Sequence, residues 1–172
     1  SISEMRNKGL ELAEGDWVKP CWDDDDVYDP HLLSYLMLHR RPGKAVMLAN
    51  QIRVAIWKGT VYLHRDKDGI ANTMIVPKSS ARFREVAQED VRFADEHYGV
   101  SRVIIDNSRY PATAMSIAVF HDHNVTPVDQ FMKDHSTPEY YGRWELGDED
   151  AAHLKAALAQ FGLDATVKSP EE

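Results

Sequence analysis

Residues 51–65 read QIRVAIWKGTVYLHR, and this stretch decides the fold class that the sequence predicts. Two runs rich in β-branched and aromatic residues flank Lys58 and Gly59, a separation suited to a tight hairpin turn. Strand alternation places Ile52 and Val54 on one face. The opposite face and the strand ends carry cationic and aromatic side chains, namely Arg53, Trp57, Lys58, Tyr62, His64 and Arg65.

The segments that follow extend this hairpin into an α+β domain with a mixed sheet. Residues 69–77, GIANTMIVP, come after the turn DKDG and predict the third strand of an antiparallel meander. Residues 102–106 and 125–129 predict two parallel strands, joined by a helix over residues 111–123. A strand, a helix and a strand within so short a span are typical of a right-handed βαβ unit.

Helices are predicted at both ends of the chain and between the strands. Ser1 and Glu4 have the spacing of a capping box, and Asp29 followed by Pro30 is a strong start signal for a helix. An amphipathic helix is expected to begin after Ser79 or Ser80, to bury Phe83, Ala87, Val91, Ala94 and Tyr98 on one face, and to end at Gly99. The N-terminal helix is predicted over residues 3–13 and the C-terminal helix over residues 149–161.

The bulk properties are those of one globular domain over residues 1–172, with a flexible tail at residues 163–172. Hydrophobic residues make up 43% of the chain and charged residues 28%, the usual mixture for such a domain. No apolar run approaches the roughly 20 residues that cross a bilayer, so we expect no membrane association. A single cysteine cannot form an internal disulfide, which favours a cytoplasmic location.

The distribution of charge says more than the net value of −8. The acidic N-terminal segment, residues 1–30, has 3 basic and 9 acidic side chains, and residues 111–172 have 4 and 11. Residues 31–110 reverse the balance with 13 and 8. Residues 31–65 contain six Lys or Arg, three His and no Asp or Glu. This acid-free span predicts a basic surface, suited to an anionic partner or to the acidic ends of the chain itself.

The preferred functional hypothesis is a non-catalytic binding or regulatory domain that uses the basic hairpin face. Arginine, lysine and aromatic side chains together can hold phosphates and stack on bases, and they are also favoured anchors of protein interfaces. The partner is therefore predicted to be nucleic acid or protein. The alternative is that helices or the acidic ends of the chain cover this face, as is common for sheets in α+β domains.

A hypothesis of a different class is a Mg²⁺-dependent phosphoryl-transfer or phosphodiester-cleaving enzyme. If the βαβ unit forms, Asp106 and Asp129 lie at the carboxyl ends of its parallel strands, where α/β sheets usually bind ligands. Ser108 and Arg109 would add an anion site at the start of the following helix. Two carboxylates and an anion site could hold Mg²⁺ and a phosphate.

Two further motifs point away from chemistry. His121 and His123 flank Asp122, but on the predicted helix the two imidazoles point to different sides, so we expect no shared metal. Cys21 precedes the aspartate run 23–26, and nearby carboxylates raise the pKa of a thiol. Cys21 is therefore predicted to be a poor nucleophile.

Overall fold

A computed structural model describes residues 1–55, 60–79, 81–86, 88–109 and 112–120, with residues 152, 156 and 159. The chain divides into two compact units, and neither is continuous in sequence. Unit 1 comprises residues 1–24, 30–49 and 67–106, and unit 2 comprises residues 25–29, 50–66 and 107–172. The single domain over residues 1–172 stays a prediction, and the tail at residues 163–172 lies outside the described residues.

Helices and strands alternate along the described chain, with both parallel and antiparallel pairing, which is the α+β class that the sequence predicts. The α-helices are α1 (Ile2–Leu12), α2 (Leu32–Leu38) and α3 (Glu89–Tyr98). The strands are β1 (Trp17–Val18), β2 (Val27–Tyr28), β3 (Ala45–Leu48), β4 (Asn50–Ala55), β5 (Thr60–Arg65), β6 (Val76–Pro77), β7 (Arg102–Ile105) and β8 (Ser116–Phe120). Short 3-10 helices cover Ala71–Thr73 and Ala112–Met115.

Unit 1 is built around the parallel pair β3–β7, whose register runs from Ala45 opposite Arg102 to Leu48 opposite Ile105. All four residues of β3 are 0% exposed, as expected for a strand covered on both faces. Strand β6 pairs antiparallel with β1, and the neighbouring Ile75 bridges to Val46 of β3. The core of unit 1 therefore lies along β3.

Helix α1 has the cap that its sequence predicts, and an ion-pair cluster that the sequence did not predict holds it in unit 1. The Ser1 hydroxyl accepts a hydrogen bond from the Glu4 N–H at 3.2 Å, and the Ser1 amino group donates to the Glu4 carboxylate at 2.7 Å, so the capping box is confirmed. Further along α1, the Arg6 guanidinium pairs with Asp23 at 2.9 Å and with Glu89. One largely buried cation thus ties α1 to the segment after β1 and to the start of α3.

Helices α2 and α3 both begin later than predicted. The residue before α2 is His31, which makes no side-chain cap hydrogen bond, so the prediction of Asp29 as N-cap is wrong. The residue before α3 is Gln88, with a left-handed φ of 56°. Phe83 therefore lies outside α3, but it is buried and stacks on Phe93 with ring centroids 4.2 Å apart.

The burial predicted for one face of α3 is confirmed toward the C-terminal end of the helix. Ala94 and Tyr98 are buried, whereas Val91 is exposed. Gly99 follows the last helical residue, and its N–H donates to the carbonyls of Ala94 and Asp95, so the predicted helix end is confirmed.

Unit 2 is built around a four-stranded sheet in the order β2-β8-β4-β5. The predicted hairpin is confirmed, because β4 and β5 pair antiparallel from Asn50 opposite Arg65 to Ala55 opposite Thr60. The residues between them, 56–59, lie outside the described residues. On the aliphatic face Ile52 and Val54 are buried, as the alternation predicts.

The predicted meander does not form, because residues 69–77 give no third strand beside β5. They form the 3-10 helix Ala71–Thr73 and the short strand β6, whose partner is β1. The Thr73 side chain stabilises this 3-10 helix. Its hydroxyl donates to the Ile70 carbonyl at 2.7 Å and accepts from the Leu48 N–H at 3.0 Å.

The predicted helix over residues 111–123 is also wrong. Residues 112–115 form a 3-10 helix and residues 116–120 form β8, which runs parallel to β4. Because β8 has neighbours on both edges and is buried at four of its five positions, its residues form an almost continuous apolar run. Such a run cannot be distinguished from a buried helix by periodicity alone.

The βαβ unit is therefore not formed as predicted. The strand at residues 102–105 is present, but its parallel partner is β3. Residues 125–129 lie outside the described residues, as do His121, Asp122 and His123. Because the chain before His121 is a strand, the helical argument for separating the two imidazoles no longer applies, and the absence of a shared metal stays a prediction.

The C-terminal helix predicted over residues 149–161 lies outside the described residues except at three positions. Ala152, Ala156 and Ala159 are helical and exposed. In the part of the chain that the structure describes, every helix is too short or too polar to span a bilayer.

The close approach of Gly69 to β3 and β7 leads to a prediction about stability. Gly69 has a φ of +89°, and a Cβ there would lie 2.7 Å from Ile104 Cδ1 and 2.9 Å from Met47 Cβ and Sδ. Gly69→Ala should lower the free energy of unfolding by about 2–4 kcal/mol, from backbone strain and overpacking together. Chemical denaturation measures this change.

The control is Gly9→Ala in α1, where an added Cβ meets nothing within 4 Å. Alanine there should raise the free energy of unfolding by up to about 1 kcal/mol. If both variants unfold at the same denaturant concentration, the close approach of the turn to β3 and β7 is wrong.

Candidate functional site

The basic hairpin face is less open than its sequence predicts. Strand register places Arg53 opposite Tyr62 and Gln51 opposite His64, so these four residues belong to one face of the sheet. Gln51 is fully buried and His64 is only 9% exposed. His64 therefore does not lie on an open surface, which corrects the expectation of an exposed row of cationic and aromatic side chains.

The cations of this face differ in their surroundings. Arg53 is half-buried, and its guanidinium lies 5.5 Å from the centroid of the Phe120 ring. Arg65, at the end of β5, is exposed. Trp57 and Lys58 lie outside the described residues, as does the side chain of Tyr62, and the binding role of the hairpin face stays a prediction.

A buried polar layer continues from this face onto β8. The Gln51 amide donates to the Ser116 hydroxyl at 2.9 Å, and both side chains are 0% exposed. Alternation of polar and apolar residues in β4 thus marks a covered polar face rather than a solvated one. Such a layer fixes strand register, because a slip by one residue would bury polar groups without their partners.

The second predicted site, at the end of β7, has a different neighbour from the one expected. Asp106 is exposed and Arg109 is exposed. The strand parallel to β7 is β3, and the predicted anion-binding helix start is replaced by the 3-10 helix Ala112–Met115. Asp129 lies outside the described residues, so the pairing of Asp106 with Asp129 around Mg²⁺ stays a prediction.

Asn107, which follows Asp106, stabilises the backbone of unit 2. The Asn107 side chain is buried, its Oδ1 accepts from the Asn50 N–H at 2.9 Å, and its Nδ2 donates to the carbonyls of Asn50 at 2.9 Å and Ala112 at 3.1 Å. The Asn107 side chain therefore hydrogen-bonds the backbone of Asn50 at the start of β4, as the backbone of a neighbouring strand would.

No three His, Cys, Asp or Glu side chains in the described chain come close enough together to hold a metal ion. Cys21 is fully buried. Burial is the main cause that raises the pKa of its thiol; Asp90 and Asp23 raise it further, while Arg6 and Lys19 oppose them. The poor nucleophilicity predicted for Cys21 agrees with this environment, although burial contributes more than the neighbouring carboxylates.

Two shallow concave surfaces of unit 1 share lining residues, and exposed cations line one of them. A concavity of about 470 Å³ lies beside a second one of about 350 Å³, and Gly43 and Pro77 line both. We call the two together the basic groove. The first is lined by Trp17, Leu38, Arg40, Arg41, Pro42, Gly43 and Pro77, and the second by Gly43, Pro77, Ser79, Ala81, His97 and Tyr98.

The turn between α2 and β3 supplies the charge of the basic groove. Arg40, Arg41 and Lys44 are all exposed, and none of them forms an ion pair with a carboxylate of the described residues. Gly43 adopts a φ of +69°, which reverses the chain so that it enters β3. The Lys44 N–H closes this turn on the Arg41 carbonyl at 3.2 Å.

The sequence indicates the charge of the basic groove but not its concave shape. Residues 40–44, RRPGK, lie within the acid-free span and interrupt it with a Pro-Gly turn. That pattern marks an exposed loop, where cations remain in solvent. Trp17 and Pro77, however, come from distant segments, and only their pairing in the β1–β6 ladder brings them to the same surface.

Asn107→Ala should destabilise unit 2 by about 2–4 kcal/mol, because it leaves buried backbone groups of Asn50 without their partners. Asn107→Asp should also destabilise it at neutral pH, since a carboxylate would face two carbonyl oxygens. That carboxylate is protonated more readily when folded, so stability is gained as pH falls toward about 4. Thermal unfolding at both pH values measures the effect, and wild-type melting of Asn107→Ala would contradict it.

Cys21 should resist alkylation in the folded chain, because its thiol is covered and its pKa is raised. Iodoacetamide at about pH 8 should leave the folded protein unmodified and label it fully in denaturant. Intact mass measures the labelling. Modification of the folded chain at the rate of a free cysteine peptide would show that Cys21 is accessible.

The chain matches no model of a known protein family, no curated protein and no solved structure. The geometry and charge of the described residues are therefore what indicate its function.

Proposed function

We propose that this protein is a non-catalytic binding or regulatory domain that contacts an anionic partner, a protein or a nucleic acid, through its basic groove. The observation that carries the proposal is the exposed pair Arg40 and Arg41, which line a concave surface and form no ion pair with a carboxylate of the described residues. Lys44, in the same turn, is exposed and also forms none. Cations left unneutralised in an acidic protein are available for a partner.

The local charge supports this proposal more strongly than the composition does. The acid-free span places no Asp or Glu between residues 31 and 65, so the turn carrying Arg40 and Arg41 has no acidic neighbour in sequence. Elsewhere in unit 1, Arg6 pairs with Asp23 and Glu89, and Arg102 pairs with Asp95 at 2.6 Å. Arg82 and Arg92 are exposed and form no ion pair with a described carboxylate, as is true of Arg40 and Arg41. Arg40 and Arg41 differ from them in lining a concave surface, and this position favours a ligand-binding role for the turn.

A binding function is preferred to an enzymatic one because the described residues offer concave shape and charge but no poised reactive group. Cys21 is covered and its thiol pKa is raised. Asn107, next to Asp106, is committed to backbone hydrogen bonds. The Mg²⁺-dependent alternative with Asp106, Arg109 and Asp129 stays a prediction, because Asp129 lies outside the described residues. The hairpin face, with Arg65 exposed, remains a second predicted contact for the same kind of partner.

The double substitution Arg40→Glu with Arg41→Glu tests the proposal. Fluorescein-labelled polyglutamate and a labelled single-stranded oligonucleotide of mixed sequence serve as anionic probes, with anisotropy as the readout. At least one probe should bind the wild type at about 50 mM salt and bind more weakly at about 300 mM. The double variant should bind that probe about tenfold or more weakly, since two exposed ion pairs are replaced by repulsion.

The control is Lys67→Glu with Arg92→Glu, which changes the net charge by the same amount at two exposed positions that do not line the groove. It should lower affinity by no more than about twofold through long-range charge alone. Equal losses in both double variants would show a non-specific charge effect, and failure of both probes to bind the wild type would overturn the proposed function.

A further inference from the structure

The basic groove combines its cations with an unusually exposed leucine. Leu38, the last residue of α2, is 76% exposed, whereas Leu32 and Leu36 of the same helix are 0% exposed. Single exposed leucines are common on protein surfaces. Leu38 differs because it lines a concave surface, where a ligand could cover it from more than one side.

The walls next to Leu38 are also apolar. Pro42 and Pro77 present ring carbons and have no backbone N–H, and Trp17, directly opposite Pro77 in the β1–β6 ladder, is half-buried. In the second concavity Ala81 adds a further apolar side chain. The groove thus offers apolar side chains beside its two arginines, so its lining is mixed rather than uniformly charged.

The two arginines of the groove are held in place but keep donors for a ligand. Arg40 Nη1 donates to the Met37 carbonyl at 2.9 Å, and Arg41 Nη1 donates to the Arg40 carbonyl at 3.0 Å. A guanidinium has several further N–H donors in a planar fork that suits a carboxylate. The arrangement therefore presents two partly oriented anion-binding groups beside an apolar surface.

Protein is favoured over nucleic acid as the occupant by the aromatic content of the groove. Sequence-tolerant binding of single strands uses aromatic faces on which successive bases stack. Here Tyr98 is only 8% exposed and its hydroxyl donates to the Pro77 carbonyl, which leaves the half-buried Trp17 and the imidazole of His97 as the rings at the groove that a base could reach.

We propose that the basic groove binds a short acidic segment of a partner protein that carries an apolar anchor residue. The anchor contacts Leu38 and Trp17, and flanking carboxylates pair with Arg40 and Arg41. This inference rests on the proposed function, and it specifies the partner that the same groove accepts. An exposed leucine and unneutralised arginines are then two halves of one recognition surface, apolar centre and charged rim.

The experiment titrates the full chain with a panel of fluorescein-labelled peptides made of Glu and Asp around a single Leu, Phe or Trp. Each peptide has a counterpart with Ser in place of the apolar residue, and a mixed-sequence single-stranded oligonucleotide completes the set. At least one anchored peptide should bind about tenfold more tightly than its Ser counterpart. Arg40→Glu with Arg41→Glu should abolish binding of both members of the pair.

Leu38→Ser isolates the apolar half of the groove. It should remove the preference for the anchored peptide, so that both peptides of the pair bind alike, while the melting temperature stays that of the wild type. Leu12→Ser is the matched control, because Leu12 ends α1 and is 68% exposed but does not line the groove. The control should keep the full preference.

The outcomes separate this inference from the proposed function. Oligonucleotide binding that requires Arg40 and Arg41, without any preference among the peptides, would overturn the acidic-peptide inference and leave the proposed function standing. A peptide preference that survives Leu38→Ser would also overturn the inference, because the anchor would then lie elsewhere. If neither peptides nor oligonucleotide bind the wild type, both the inference and the proposed function are wrong.

Discussion

Parallel pairing between strands that lie far apart in the chain is the constraint on which both units depend. Such pairs need long connections, and the entropy of closing those connections must be repaid by burial and by hydrogen bonds. In unit 1 the complete burial of β3 in the pair β3–β7 offsets this entropy. In unit 2 the pair β4–β8 lies between two further strands and is supported by the buried Gln51–Ser116 hydrogen bond. Without the parallel pair, the strands of each unit would lose the partner that links distant segments of the chain.

Asn107 matters because the register of pairing changes beside it. Asn50 and Asn107, 57 residues apart, are bonded to each other, whereas Gln51, the next residue, bonds Ser116, which is 65 residues away. The sequence separation of the bonded residues therefore increases by eight between these two hydrogen bonds. Asn107 also donates a hydrogen bond to the Ala112 carbonyl, which lies between Asn107 and β8 in the chain. An amide can do this because it carries a donor and an acceptor at once. A carboxylate at this position could not donate.

How far the fold could be predicted depended on whether the decisive signal was local. The capping box at Ser1, the hairpin of β4 and β5 and the helix end at Gly99 are set by residues close in sequence, and all three are confirmed. Strand β8 could not be recognised, because burial on both faces erases the alternation that marks a strand. The partners of β6 and β7 could not be recognised either, since pairing at long range leaves no trace in a single sequence.

The candidate site shows the same division between local and distant information. The acid-free span indicated where cations gather, but alternation alone could not tell that the face of Gln51 and His64 is covered. It also could not show that Trp17 and Pro77 meet beside the turn at residues 40–44. Exposure is a property of the whole fold, so the charge was predictable and its accessible part was not.

Arg40 and Arg41 do not carry the functional argument equally. Arg40 donates to the Met37 carbonyl near the end of α2, and a cation there is favoured by the unsatisfied carbonyls of the helix. Helix termination alone would account for it. Within the described chain, the Arg41 guanidinium donates to the Arg40 carbonyl, and neither Arg41 nor Lys44 forms an ion pair with a carboxylate. The hydrogen bond of Arg41 gives no structural reason for a cation at that position, so within the groove the case for an anionic partner depends more on Arg41 than on Arg40.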